Sequence, residues 1–125
     1  MQYSKNVKAF IDAILDLTWF ETDGGVWLFV ATPAELAVID TLIRRNPALP
    51  DQAIAWQEDR ITSLEAEFEV AKATFEVRVS RISPLAAEYR EEAQRWEAAV
   101  AAASRRHETM TEELELLRSF NKTLK

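Results

Sequence analysis

The sequence predicts a mainly α-helical protein, in which a long antiparallel coiled-coil hairpin follows a small helix–β-hairpin–helix module. Apolar residues after position 50 recur at three- and four-residue steps, which is the spacing of a heptad seam. The chain has only 2 glycines and 4 prolines, and all of them stand where an element should start or stop. We therefore divide the chain into a module over residues 1–50 and a helical hairpin over residues 51–125.

The first predicted element is an amphipathic helix over Ser4–Leu17. Ser4 is a residue type that caps helix N-termini well. Charged side chains at positions 8, 12 and 16 fall on the face opposite the apolar one. The apolar face is formed by Val7, Phe10, Ile11, Ile14 and Leu15.

A β-hairpin is predicted over Thr18–Ala31. Two runs rich in aromatic and β-branched residues, 18–21 and 26–30, flank the segment Thr22-Asp23-Gly24-Gly25. An Asp-Gly pair between such runs is a strong hairpin signal, because tight turns need residues with positive φ. An isolated two-stranded hairpin is marginal in water, so this one must pack against the neighbouring helices.

The third element is a helix that starts with the most specific local signal in the chain. Thr32 at the N-cap, Pro33 at the first helical position and Glu35 three residues after the cap form a capping box. Asn46-Pro47 should end this helix, and residues 48–50 should form a short linker. Its apolar face comprises Leu36, Ile39, Leu42 and Ile43.

Two long helices are predicted next, one from Asp51 to about Ile82 and one from about Glu88 to near the C-terminus. Facing residues in an antiparallel pair have numbers with a constant sum, and a sum of 171 places the two apolar seams opposite each other. The alternative is a single kinked helix over 51–124, but Pro84 inside a helix would cost about 3 kcal/mol. The expected layers are Ile54/Leu117, Ile61/Met110, Leu64/His107, Phe68/Ala103, Ala71/Val100, Phe75/Trp96 and Ile82/Tyr89.

Charges beside the seams favour the same register. A sum of 164 would bring like charges together at several flanking positions, which disfavours that register. In the register with a sum of 171, four flanking pairs of opposite sign instead fall near each other: Lys72/Glu97, Glu67/Arg106, Arg60/Glu113 and Arg81/Glu92.

Composition excludes several kinds of site. The chain has no cysteine and a single histidine, His107, so we expect no disulfide, no Cys/His zinc site and no di-iron centre. Carboxylates are plentiful, but they fall mostly on predicted helix surfaces. We therefore predict no catalytic, cofactor-binding or metal-binding residues, and a protein that is not an enzyme.

Charge and hydropathy also bear on partners and location. A net charge of -6 makes nucleic acid a poor partner. The longest apolar runs have six residues, against about 20 for a membrane span, so we expect no membrane insertion. Aspartates at positions 12 and 16 interrupt what would otherwise resemble a signal peptide. The expected location is the cytoplasm or a particle assembled there.

The N-terminal module carries the candidate binding residues. The strand at 26–30 is apolar on both faces, which predicts cover on both sides by its own helices or by another chain. Tryptophan is enriched at binding hot spots, and Trp56 lies off the seam of its helix. The predicted protein-binding residues are Trp19, Phe20, Trp27, Phe29 and Trp56.

These observations favour a non-enzymatic structural or adaptor subunit of a larger assembly, such as a phage particle. Its partners would be copies of itself, another protein, or both. The alternative is a small acidic inhibitor that blocks a host or defence enzyme. Residues 51–76 carry seven acids against Arg60 and Lys72, which would suit a basic target.

Overall fold

The computed structural model describes residues 3–124 and contains four helices and two strands within them. The two long helices pack as an antiparallel hairpin after an α–β–β–α module, which confirms the predicted fold class. The alternative of one kinked helix over 51–124 is therefore wrong. In chain order the elements are α1 (Val7–Leu15), β1 (Thr18–Glu21), β2 (Trp27–Val30), α2 (Pro33–Arg45), α3 (Leu49–Val79) and α4 (Ala87–Thr123).

Helix α1 is shorter than predicted at both ends. Its N-cap is Asn6, and the predicted cap Ser4 lies before the helix, where its hydroxyl accepts from the Asn6 backbone N–H at 3.3 Å. At the other end the Leu17 N–H donates to the Ile14 carbonyl at 3.2 Å, which tightens the last turn. This tightening lets the chain leave the helix and enter β1 at Thr18.

The β-hairpin is confirmed, and its turn explains one of the two glycines. Strands β1 and β2 are antiparallel, with Thr18 opposite Val30 and Glu21 opposite Trp27. Between them the Gly25 N–H donates to the Thr22 carbonyl at 2.9 Å. Gly25 has a φ of 76°, a left-handed conformation that glycine adopts without steric cost. This placement of glycine after a tight turn is typical of three-residue hairpin loops.

The capping box of α2 is also confirmed. The Glu35 N–H donates to the Thr32 hydroxyl at 3.1 Å, and the Thr32 N–H donates to a Glu35 carboxylate oxygen at 2.8 Å. Asn46 is the C-cap, as predicted.

The predicted linker at 48–50 is wrong, because α3 already begins at Leu49. The Asn46 carbonyl accepts from the Leu49 N–H at 3.0 Å, and the Asn46 side chain accepts from the Ala48 N–H at 3.2 Å. Pro50 then occupies the first helical turn. Proline is tolerated there because N–H groups in that turn have no intrahelical acceptor.

The register of the long helices agrees with the predicted sum of 171. The rings of Phe75 and Trp96 stack with centroids 5.0 Å apart, and Arg78 pairs with Glu92, one short of the same sum. The large Trp96 ring also reaches Phe68, with centroids 5.5 Å apart, although Phe68 was predicted to face Ala103. Leu64 and His107, another predicted layer, line the same groove. Helix α3 ends at Val79, three residues before the predicted end at Ile82.

One predicted ion pair changes because of this earlier helix end. Glu92 accepts from Arg78 at 3.3 Å and from Arg95 at 3.1 Å, instead of from Arg81. The pairing of Arg81 with Glu92 was predicted for an Arg81 inside the helix. Because α3 ends at Val79, Arg81 lies outside the helix and does not face Glu92 as a helical residue would.

The chain forms two compact units. Unit 1 comprises the chain up to Asp59 and from Thr111, and unit 2 comprises Arg60–Met110. The core of unit 1 joins the N-terminal module to the ends of both long helices: Val7, Phe10, Ile11, Ile14, Leu17, Ile39, Leu49, Ala53, Leu117 and Phe120.

Unit 2 has a much thinner interior. Among its apolar residues only Leu64 and Met110 are buried, at 7% and 6% exposure. Phe68, Phe75 and Trp96 are half-buried although they lie in the seam. Two helices alone shield one stripe from water, and the edges of that stripe stay wet.

Candidate functional site

The two-stranded sheet of unit 1 presents two apolar faces. Side chains alternate along a strand, and cross-strand partners share a face. Trp19 and Phe29 are cross-strand partners on one face, and Phe20 and Leu28 are partners on the other. Val30, two residues after Leu28, lies on the same face as Leu28.

The face with Trp19 packs on the core of unit 1. The Trp19 and Phe29 rings lie 5.2 Å apart, and the Phe29 ring lies 5.3 Å from that of Phe120. The Trp19 indole N–H donates to the Ile14 carbonyl at 2.8 Å, so the polar atom of this half-buried side chain is satisfied. These contacts fix the orientation of the hairpin on the helices.

The opposite face is open to solvent, and we call it the outer sheet face (Phe20, Leu28 and Val30). These side chains are 45%, 45% and 59% exposed. Val26, just before β2, is 56% exposed. Sequence analysis predicted cover on both sides of this strand. Among the described residues the chain itself covers only the side that faces the core.

The five predicted binding residues fall into different environments. Phe20 lies on the outer sheet face, whereas Trp19 and Phe29 pack against the core. Trp27 is half-buried, and its indole N–H donates to Glu115 on α4 at 3.3 Å. Trp56 on α3 is half-buried and packs against the same core.

Leu28 and Val30 belong to the outer sheet face but were not among the predicted binding residues. The sequence does indicate that Leu28 and Val30 share a face, because side chains two residues apart in a strand point to the same side. An all-apolar strand does not show which of its two faces will meet the core. The prediction therefore relied on the tryptophans, and Trp19 lies on the covered face.

Unit 2 has a groove between its helices that we call the acidic groove. Its volume is about 410 Å³, and its apolar residues are Leu64, Phe68 and Ala103. Glu65, Glu69 and Glu108 line it as well. No arginine or lysine lines this groove in unit 2, all of which the structure describes.

His107 and Ser104 also line the acidic groove. The His107 Nε2 lies 3.7 Å from a Glu65 carboxylate oxygen, and both side chains are well exposed. His107 therefore lies at the wet edge of the seam, where it adds positive charge to the groove only when it is protonated.

A second groove in unit 2, the arginine groove, has a volume of about 310 Å³. Phe75, Trp96 and Ala99 contribute apolar surface to it, and Arg78 and Arg95 line it. Both arginines pair with Glu92, which is largely shielded, while their own side chains are 58% and 72% exposed. Each guanidinium has five N–H donors, so both keep donors for another acceptor.

The pKa of Tyr3 is clearly shifted. Tyr3 donates its phenolic hydrogen to Asp59, and this hydrogen bond raises the pKa of the Tyr3 phenol. Desolvation and the negative charges of Asp59 and Glu58 raise the pKa further. The contact ties the start of the chain to α3 within unit 1 and lies apart from the outer sheet face.

Comparison with known proteins gives no lead to a function, because no protein-family model, no curated protein and no solved structure matches the chain. Over residues 3–124, no group of three or more histidine, cysteine, aspartate or glutamate side chains is placed to hold a metal ion. None of the helices in the described part of the chain is long and apolar enough to cross a membrane.

Proposed function

We propose that the protein is a non-enzymatic structural or adaptor subunit of a larger protein assembly, and that its outer sheet face is a protein contact. The observation that supports this most is the exposure of Phe20, Leu28 and Val30 on one face of a hairpin. Scattered apolar residues are common on protein surfaces, but contiguous apolar patches usually mark interaction sites.

The opposite face of the same hairpin supports the proposal. Phe29 is held between the rings of Trp19 and Phe120, and the Trp19 indole N–H is bound to a carbonyl. The hairpin is therefore anchored in one orientation, and the outer sheet face is preorganised. A preorganised apolar surface loses little conformational entropy when a partner covers it.

The backbone of the sheet adds a second means of binding. A sheet of two strands has an edge on both sides, and an edge strand offers backbone N–H and C=O groups to an added strand. A partner strand placed along β2 would extend the sheet and bring its own side chains beside Leu28 and Val30. The proposal thus includes both apolar burial and backbone pairing.

Site-specific photo-crosslinking tests this proposal. A photoreactive phenylalanine replaces Phe20 in the full chain, and irradiation in the source cell should give a covalent adduct of one discrete mass. Mass spectrometry then identifies the attached chain, which is either a copy of this protein or another subunit. The matched control places the same residue at Val38 on α2, which is 56% exposed and lies outside the sheet.

A third variant tests the specificity of the contact. It keeps the photoreactive residue at position 20 and carries Leu28→Thr and Val30→Thr, which preserve strand propensity but remove apolar area. The adduct should be lost in this variant. Equal labelling at positions 20 and 38, or an adduct that survives the threonine changes, would refute the proposed contact.

A second candidate function is an acidic inhibitor of a basic target. The acidic groove supports it, because Glu65, Glu69 and Glu108 flank an apolar floor that an enzyme loop with basic side chains would fit. Reversal of charge at Glu65, Glu67 and Glu69 should weaken binding to such a target in a salt-dependent way. Unchanged affinity would exclude this candidate.

A further inference from the structure

The two grooves of unit 2 lie on opposite sides of its helical pair. On α3, Glu69 of the acidic groove and Arg78 of the arginine groove are nine residues apart. On α4, Ser104 and Arg95 are also nine residues apart. Nine residues are about two and a half turns at 3.6 residues per turn, so the members of each pair point in opposite directions.

The two sides are complementary in charge. Three glutamates line the acidic groove, whereas two arginines that share one glutamate line the other. Two acidic grooves would repel each other, and so would two arginine grooves. An acidic groove placed against an arginine groove brings opposite charges together.

The arginine side of α3 also carries exposed apolar residues. Thr74 lines the arginine groove. Val70 lies four residues before Thr74 and Val77 lies three residues after it, so both valines share its side of α3. They are 68% and 55% exposed. The acidic groove offers apolar surface in its wall, from the half-buried Phe68.

We propose that unit 2 binds a second copy of itself head to tail, with the arginine side of one copy docked in the acidic groove of the next. Val70 and Val77 of one copy pack on Phe68 of its neighbour. Arg78 and Arg95 of the first copy lie against Glu65 and Glu69 of the second.

This arrangement is heterologous, since the two copies contribute different surfaces. Each copy keeps one groove free, so the contact propagates into a ring or an open filament. It also covers the half-buried seam residues Phe68, Phe75 and Trp96, which two helices alone leave partly wet. The contact is separate from the outer sheet face, which belongs to unit 1.

Sedimentation velocity with the full chain and charge-reversed variants tests the proposal. The wild type should form species larger than 14.3 kDa, in amounts that grow with protein concentration. The variants E65R/E69R and R78E/R95E should each raise the dissociation constant about tenfold or more, because attractions become repulsions. About 1 M salt, where the screening length is about 3 Å, should weaken the wild-type contact.

Mixing the two variants distinguishes this contact from a symmetric one. The E65R/E69R chain keeps its arginine groove and the R78E/R95E chain keeps its acidic groove, so an equimolar mixture should associate again. The control E91R/E112R reverses two exposed glutamates outside both grooves and should associate as the wild type does.

The variant R78E/R95E removes both ion pairs of Glu92 and could therefore unfold the helical pair. The variant V70T/V77T keeps every charge and both of these ion pairs, so it tests the contact without that risk. Its helicity by circular dichroism should match the wild type, and its association should weaken. The proposal is overturned by a wild type that stays at 14.3 kDa at every concentration, by variants that associate as the wild type does, or by a mixture that stays monomeric. Absence of the photo-crosslink at Phe20 would refute the contact at the outer sheet face and would leave this proposal for unit 2 unaffected.

Discussion

Phe120→Ala should strongly destabilise unit 1. The Phe120 side chain is 4% exposed, and its ring lies 5.3 Å from Phe29 and 6.1 Å from Phe10 in an edge-to-face arrangement. Truncation of a buried phenylalanine to alanine costs about 3–5 kcal/mol, because apolar contact is lost and a cavity remains. That loss is a large part of the roughly 5–15 kcal/mol that stabilises an ordinary domain.

Urea denaturation followed by far-ultraviolet circular dichroism measures this loss. The matched control is Phe20→Ala, in the same hairpin but 45% exposed and outside the core. It should cost no more than about 2 kcal/mol, because roughly half of the side-chain area already meets water and no closed cavity forms. Equal costs for the two variants, or a cost below about 1 kcal/mol for Phe120→Ala, would refute this description of the core.

A double-mutant cycle between Phe120 and Phe29 isolates the contact of their rings. The coupling energy should be about 0.5–1.5 kcal/mol, which is the range for aromatic pairs. The cycle between Phe120 and Phe20 should give no coupling, because those rings lie on opposite sides of the hairpin sheet. A larger coupling for Phe20 than for Phe29 would mean that the assigned faces of the sheet are reversed.

Three smaller predictions concern the turn, the cap and the start of the chain. Gly25→Ala should destabilise the protein by about 1–2 kcal/mol in urea denaturation, because Gly25 has a positive φ. The control Gly24→Ala should change stability by less than about 0.5 kcal/mol, because no atom lies near the position of the added Cβ. Thr32→Ala should cost about 1 kcal/mol by the same assay, and no loss would mean that the capping box is not formed. The raised pKa of Tyr3 means that the folded protein holds this proton more tightly than the unfolded chain does. Its stabilisation is therefore present below the ordinary tyrosine pKa near 10 and is lost as pH rises through the raised value. Tyr3→Phe should flatten this alkaline loss in a pH series of melts, and an unchanged alkaline profile would contradict the bond to Asp59.

The sequence predicted best those features that depend on local backbone chemistry. The capping box at Thr32 and the hairpin around Gly25 were both found from a few neighbouring residues. The register of the long helices was also predictable, since seven apolar layers share one sum and the flanking charges favour it. The Arg78–Glu92 and Glu65–His107 contacts fit that register, because the numbers of each pair lie within one of the sum.

Helix ends were harder to predict because several residues compete for each cap. Pro50 was expected in a linker before a helix that starts at Asp51, but it lies in the first turn of α3, where its missing N–H does no harm. Ser4 appeared to start α1, but Asn6 is the cap. In both cases the sequence offers more than one suitable start for the helix within a few residues.

The candidate surfaces were only partly predictable. An all-apolar strand indicates that something must cover it, but the contact between Phe29 and Phe120 decides which face the core covers. The two grooves of unit 2 depend on side chains nine residues apart on two helices, and they become recognisable once those helices are paired. The sequence alone does not separate the flanking charges onto two sides, because that separation depends on how the two helices pair.

Mass by light scattering after size exclusion, across a concentration series of the wild-type chain, tests the central claim that this chain assembles with copies of itself. The account predicts a mass that rises above 14.3 kDa with concentration, in steps of whole chains. A mass that stays at 14.3 kDa throughout would contradict the self-assembly that the two grooves of unit 2 are proposed to provide.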